Sequence, residues 1–311
     1  MYLKKRKSIK YKILIVGGTG FIGYHLVKKC VEKKWDVSSI STRPPKTQKR
    51  LKGVKYIVAD ISKIKKLKNA LKNDKYKYVV NLGGHVNHKN KIKTYRSHFI
   101  GCKNLVSILR NNKPEMFLQM GSSLEYGISK SPIKETFNCK PISNYGKAKF
   151  LASSFLIKEH KQKKFPIVIL RLFQAYGPMQ ENNRLIPYVI NSCIKDKKFQ
   201  CSDGTQLRDF IYIDDLISLI FKCLKNKNIL GEIFNAGSGN PIKIKNLINK
   251  IYKIVKLGKP QFGAMRMRSD EIKNFYPNMK KTKKFFNWNV KTNINLGILK
   301  TIKFFQKKID I

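Results

Sequence analysis

The stretch YKILIVGGTGFIG, residues 11–23, limits the possible folds of this chain more than any other segment. A short apolar run, suited to a buried strand, ends in two glycines. The residues that follow, FIGYHLVKKCVEKK, return to the spacing of an amphipathic helix. Gly17, Gly20 and Gly23 recur at three-residue intervals, with Phe21 and Ile22 between the last two. Three missing side chains permit a tight turn and close approach of a ligand to the backbone. The N–H groups of the helix start then face that ligand and favour negative charge. In this strand–turn–helix setting the triplet reads as a dinucleotide pyrophosphate site rather than a plain glycine turn.

Five further apolar runs follow: DVSSIS (36–41), VKYIVADIS (54–62), KYVVNLGG (77–84), PEMFLQMGSS (114–123) and PIVILRLF (166–173). Helical spacing separates them over 62–72, 91–111 and 143–161. Strands that are apolar on both faces and alternate with helices imply a parallel sheet covered on both sides. The expected fold class is therefore α/β, a doubly wound parallel sheet (Rossmann). After about residue 173 the alternation breaks. RLIPYVINSCIKDK, DDLISLIFKCLK and IKNLINKIYKIV read as helices, and EIFNAGSG as a strand and turn. The expected division is a dinucleotide-binding domain over 1–172 and a smaller C-terminal substrate-binding region over 173–311 that exchanges some elements with the first.

Composition narrows the class further. At 311 residues and 42% hydrophobic, the chain can bury a sizeable core. No apolar run reaches ~18 residues, so no membrane span is expected. MYLKKRKSIKYK lacks the apolar segment of a signal peptide. The six cysteines (30, 102, 139, 193, 201 and 223) form no CxxC and read as reduced core residues of a cytoplasmic protein. The formal charge of +48 invites a nucleic-acid or anionic-membrane partner. The lysines, however, are spread from end to end, and only ten of the 66 basic residues are Arg. A compositional drift toward lysine accounts for that pattern better than a specific nucleic-acid site. In such a chain an Arg marks a place that needs a planar fork. Arg171, Arg184, Arg208, Arg266 and Arg268 all stand in the second half, where a phosphate-bearing ligand is the first expectation.

A dinucleotide site of this kind that prefers NAD has an acid about 20 residues after the glycines, on the ribose 2′-hydroxyl. Here the second strand runs into Ser41, Thr42 and Arg43. An Arg among small hydroxyls suits a 2′-phosphate, which favours NADP over NAD. Ser122 falls at the carboxyl end of the fifth strand, where doubly wound folds bind ligands. Tyr145 and Lys149, four apart in PISNYGKAK, share one face of the next helix. A hydroxyl, a phenol and an ammonium around a nicotinamide make an acid–base device. A free phenol titrates near pH 10, and bringing it to neutrality takes roughly 4 kcal/mol of differential stabilisation. An adjacent Lys149 ammonium and a cationic cofactor are the expected sources.

Taken together, GGTGFIG, the Ser before YG, and YxxxK resemble the extended short-chain dehydrogenase/reductase family of nucleotide-sugar epimerases, dehydratases and reductases. ADIS (Asp60, Ile61) resembles the family's Asp-hydrophobic pair beside the adenine. NLGG (Leu82, Gly83, Gly84) resembles its cofactor-lining fourth-strand segment. RLFQAYGP, QLRDFIYIDDL and FNAGSGNPIKI match later segments in order. The resemblance implies Tyr145 as general acid/base, Lys149 as ribose-orienting, and Ser122 as polarising the substrate. It implies a nucleotide-sugar substrate contacted by Ser123, His85, Gln174, Arg184, Arg208 and Arg268, with Arg208 on a phosphate. It also implies a possible homodimer.

Departures from the pattern bear on the reaction. The family's dehydratases carry Asp-Glu directly after the catalytic Ser/Thr, where this chain has Ser123 and Leu124. Glu125 comes one place late and would point away if the segment stayed extended. Gln174 replaces an Asn of the sixth-strand segment, and His98 an Asn of the fourth helix. His85 and His88 have helical spacing for two metal ligands, but nothing nearby in sequence completes a site, and no metal is expected. Asp214 and Asp215 read as acids at a helix start. The expected activity is NAD(P)-dependent hydride transfer at a sugar carbon, C4, as a 4-ketoreductase or 4-epimerase. The alternatives are a non-catalytic RNA- or membrane-associated binding protein on the same fold, or a cofactor-binding redox sensor.

Overall fold

The apolar runs become β1 (Lys12–Val16), β2 (Asp36–Ser41), β3 (Val54–Val58), β4 (Tyr78–Asn81), β5 (Met116–Ser122) and β6 (Ile167–Leu172), and β7 (Ile233–Ala236) joins them. The computed structural model describes residues 11–72, 74–85, 90–267 and 271–307. The seven strands form one parallel sheet in the order β7-β6-β5-β4-β1-β2-β3. Every residue of β4 and β5 is buried, which is why these runs are apolar without alternation. The order reverses at β1, with β2 on one side and β4 on the other. Val16, Ile40 and Asn81 end in register there, and such a switch point is where doubly wound sheets bind ligands.

The first-half helices are α1 (Phe21–Glu32), α2 (Ile64–Leu71), α3 (Lys91–Tyr95), α4 (Gly101–Leu109) and α5 (Asn144–Lys163). A π-helical turn, Arg96–Ile100, joins α3 to α4 and carries His98. The second half adds α6 (Leu185–Ile194), α7 (Ile213–Leu224), α8 (Ile244–Val255), α9 (Lys280–Phe286) and α10 (Ile294–Gln306). Among the described residues no helix is long and apolar enough to cross a membrane. The six cysteines are thiols outside any disulfide, five of them buried.

Two compact units divide the chain. One holds the residues up to Met120 with Leu151–Val168 and Lys227–Gly231. The other holds Gly121–Phe150, Ile169–Asn226 and Glu232 onward. In the second unit, Tyr126, Ile133, Phe173 and Phe275 form an apolar cluster. Asp209 there closes the 238–240 turn, accepting from the N–H groups of Ser238, Gly239 and Asn240 and from the Ser238 hydroxyl. Asp215, in the first turn of α7, is buried and accepts from the backbone of Lys291 and Thr292.

In the first unit, Asp74 accepts from Lys12 at 2.6 Å, Lys55 at 2.9 Å and the Tyr76 hydroxyl at 3.0 Å. Burial works against its charge, but the bonds from Lys12, Lys55 and Tyr76 outweigh it and hold the carboxyl at about 2. A carboxyl lowered in the folded state stabilises above its unfolded value, and the gain is lost as pH falls through the folded one. Asp74→Asn is therefore expected to cost about 2 kcal/mol at neutral pH. It should also flatten the loss of stability between about pH 4 and pH 2. Denaturant titrations at pH 7 and pH 2.5 measure both.

Candidate active site

The glycine turn is built as its spacing requires. Gly17 sits at φ +79°, and a Cβ there would lie 3.1 Å from the Gly83 nitrogen. A Cβ at Gly23 would fall 2.1 Å from the Gly17 carbonyl oxygen and 2.6 Å from the Gly18 Cα. Turn, helix start and the Leu82–Gly84 segment thus meet backbone to backbone. Gly20 caps α1 with no side chain, and the first turn carries no acid. The first-turn N–H groups of such a helix have no intrahelical acceptor, so this end suits an anion. The cradle fits a dinucleotide pyrophosphate. Phe21 is buried and Ile22 half-buried.

Around it, Asn81 at the end of β4 accepts from the Gly83 N–H and donates to Gln119 at 2.8 Å. That pair fixes the turn after β4. His98 packs against Gly84, where a Cβ would overlap its ring. The π-helical turn delivers His98 there, and its Nε2 lies 3.3 Å from the carbonyl oxygen of His85. His85 is half-buried, with its N–H on Ser97 Oγ. Asp60 caps the turn at Ser62. Ile61 is buried, and its carbonyl accepts from Asn104. At the end of β2, Ser41 Oγ accepts from Thr19, while Thr42 and Arg43 are exposed. His88 and Arg268 lie outside the described residues. Among those described, no group of three or more metal-binding side chains comes together.

The second unit gathers Ser122, Tyr145 and Lys149. Ser122 ends β5 with its hydroxyl oxygen accepting from the Leu124 N–H at 3.2 Å. That hydroxyl also hydrogen-bonds the Tyr145 phenol. Lys149 is buried, one turn along α5, with Nζ 5.8 Å from the Tyr145 ring centroid. Gly146, between them, is needed because a Cβ would strike the Leu124 carbonyl oxygen at 2.4 Å.

Burial pushes the Tyr145 phenol up to about 12. The Ser122 hydrogen bond and the Arg184 charge pull it down, and Glu125 adds to the rise. Desolvation wins, and one cationic neighbour that contributes is Arg184, exposed at the start of α6.

Glu125 also departs from expectation, because the segment does not stay extended. Ser123–Glu125 is a 3₁₀ turn, capped by Ser122. The turn brings the Glu125 carboxylate back, fully buried, onto the Ser122 N–H at 2.8 Å and Arg171 Nε at 3.0 Å. Arg171 is thus not a phosphate ligand. Its guanidinium stacks 4.5 Å from the Tyr126 ring centroid, and Tyr126 donates to Asn235 at 2.7 Å. An Arg within the apolar strand PIVILRLF was the available signal, since a buried cation requires a partner. Arg208, on the short strand Leu207–Arg208, is also buried. It donates to the Leu207 carbonyl and pairs with Glu271, so a phosphate would have to exchange with that carboxylate. Ser123 is buried beside Ser122, and Gln174 is half-buried on the strand Gln174–Tyr176.

A doubly wound sheet with a glycine pyrophosphate cradle and a Ser–Tyr–Lys cluster defines a nucleotide-dependent oxidoreductase class. Residues 13–237 match the model of the NAD dependent epimerase/dehydratase family, and the chain belongs to that family. It is 28% identical to a dTDP-D-glucose 4,6-dehydratase of Dictyostelium discoideum, over 78% of this chain and 62% of that protein. It is 26% identical to an uncharacterized UDP-glucose epimerase of Bacillus subtilis, over 94% and 97%. Among solved structures, a UDP-glucuronic acid 4-epimerase of Bacillus cereus, in complex with UDP-glucuronic acid and NAD, is similar with a TM-score of 0.86. Identity there is 26%, over 96% of this chain and 99% of that one.

Proposed function

We propose that this chain transfers hydride at C4 of a nucleotide-linked hexose, as an NADPH-dependent 4-ketoreductase, and does not carry out 4,6-dehydration. The observation that carries the reading is the turn after Ser122. Dehydration needs an acid and a base to move protons at neighbouring sugar carbons. The two positions that would supply them are Ser123 and Leu124, and the nearest carboxylate, Glu125, is consumed by Arg171 and the Ser122 N–H. Tyr145 as proton-transfer group matches the single proton of a carbonyl–alcohol interconversion.

In this reading the bound nicotinamide supplies the hydride. Tyr145 delivers the proton to the C4 oxygen, and a phenol held near 12 is fully protonated for that step. Ser122 hydrogen-bonds the same oxygen. Lys149 orients the cofactor ribose. Arg184, whose charge acts on Tyr145, takes the substrate diphosphate, with Arg208 joining it on release from Glu271. Arg43, exposed after Ser41 and Thr42, holds the 2′-phosphate.

A second reading, a 4-epimerase with retained NAD, is favoured by the family's NAD dependence and by the Bacillus cereus relative. One experiment separates them. The purified protein is denatured and its released nucleotide identified. The native protein is then given NADPH with a nucleoside-diphosphate 4-keto-6-deoxyhexose, or UDP-hexoses alone. No released NAD, with NADPH oxidation at 340 nm, is the expected result. Stoichiometric NAD with interconversion of UDP-hexoses and no added cofactor establishes the epimerase. A 4-keto-6-deoxy product from a UDP- or dTDP-hexose overturns both.

A further inference from the structure

We propose that Glu125 and Arg171 form a positioning pair that sets the place of the Ser122 hydroxyl for proton transfer at Tyr145. The inference rests on the proton-transfer reading above and extends it to residues that touch no substrate.

The geometry forms one chain of contacts. Glu125 Oε1 accepts from the Ser122 N–H at 2.8 Å, and Oε2 accepts from Arg171 Nε at 3.0 Å. Both side chains are nearly inaccessible, at 0% and 4% exposure. The Ser122 hydroxyl accepts from Leu124 N–H inside the same 3₁₀ turn, so the carboxylate and the hydroxyl cap one turn reciprocally. Gly121 is part of the device, because a Cβ there would lie 2.6 Å from Glu125 Oε1. Arg171 is in turn fixed from β6 by the Tyr126 ring.

A structural explanation alone is a poor fit. A buried ion pair is seldom the most stabilising filling for a core, since desolvation opposes the attraction. A pair of well-packed apolar residues would hold β5 to β6 at least as well. What apolar residues do not supply is a fixed acceptor on the Ser122 N–H and a charge near the phenol. The Glu125 charge opposes phenolate formation at Tyr145. It therefore helps keep the phenol protonated, as a proton donor must be. The Arg171 cation, beside Tyr126 and Glu125, limits that field.

The test uses the full-length protein and three variants: Glu125→Gln, Arg171→Met, and the double variant. Glu125→Gln keeps an oxygen for the Ser122 N–H but removes the charge. We expect kcat to fall about tenfold with KM within about twofold, as for a displaced or mistuned proton-transfer group. The Tyr145 ionisation should move to lower pH, read as the alkaline limb of kcat in the reductive direction. The same ionisation is read without turnover from phenolate absorbance, each protein against its own Tyr145→Phe partner. The double variant removes both buried charges and is expected to fold with near-normal stability. If the pair positions Ser122, its kcat stays low although stability returns. If kcat returns with stability, or the single variant folds with unchanged kcat and unchanged phenol titration, the proposal is overturned. Absence of wild-type turnover on every 4-keto and hexose nucleotide counts against the proposed function alone, because the absorbance titration still decides the pair.

Discussion

Replacing Tyr145 by Phe is expected to lower kcat by about 10³-fold while changing cofactor affinity by less than about twofold. The substitution removes one oxygen and keeps the ring. The Lys149 ammonium still faces that ring at 5.8 Å, and Gly146 still fits beneath the Leu124 carbonyl. What is lost is the proton and the hydrogen bond with Ser122. A positioned acid or base contributes about 10² to 10⁴ in rate, so the loss should fall in kcat rather than KM. The sign of the pH dependence follows from the phenol being pushed up to about 12 by burial. A group raised this far is in its acid form across the neutral range. Reduction, which uses the acid form, should be flat with pH up to the alkaline region. Oxidation, which uses the phenolate, should rise with pH throughout. Steady-state rates in both directions from pH 6 to 10 measure this. A wild-type oxidation rate independent of pH, or a Phe variant within about tenfold of wild type, would remove Tyr145 from the proton-transfer role.

The elements that carry this chemistry were legible in sequence for simple reasons. β1, β4 and β5 are buried on both faces along nearly their whole length, so their runs are largely apolar without alternation, and the first ends at Gly17 because φ +79° there demands it. Tyr145 and Lys149 share a helix face because helical spacing places them there, whatever surrounds them. The Glu125 reading depended instead on one backbone choice. Ser123–Glu125 turns rather than extends, and a single 3₁₀ turn reverses where a carboxylate points. Arg171 was visible as a charge in an apolar strand, but its partner lies 46 residues away in sequence. Arg208 pairs with Glu271 across 63 residues, a separation that local spacing does not bridge. The upward push on the Tyr145 phenol is hidden from the sequence for a related reason. Counting nearby cations captures attraction, while the larger contribution is burial, and burial belongs to the assembled fold.

Gly23→Val is expected to weaken cofactor binding by at least about 100-fold, or roughly 3 kcal/mol. The reason is specific to its place. The first atom of any side chain at residue 23 would lie 2.1 Å from the Gly17 carbonyl oxygen and 2.6 Å from the Gly18 Cα. Both are backbone atoms, so no rotamer change relieves the overlap, and the turn must move away from the start of α1. The same movement spoils the approach of Gly17 to Gly83, so close that a Cβ on Gly17 would lie 3.1 Å from the Gly83 nitrogen. A stability loss of about 1–3 kcal/mol should accompany it, as for other overpacked sites. Gly53→Ala provides the contrast. Gly53 also sits at positive φ, +78°, but a Cβ there meets nothing within 4 Å. It should cost about 1–2 kcal/mol of stability through backbone strain while leaving cofactor binding unchanged. Calorimetric titration with NAD and NADPH, beside thermal unfolding of each variant, separates the two effects. If both variants lose binding in proportion to stability, the glycine turn acts only through the fold. If only Gly23→Val loses it, the turn itself is the pyrophosphate cradle.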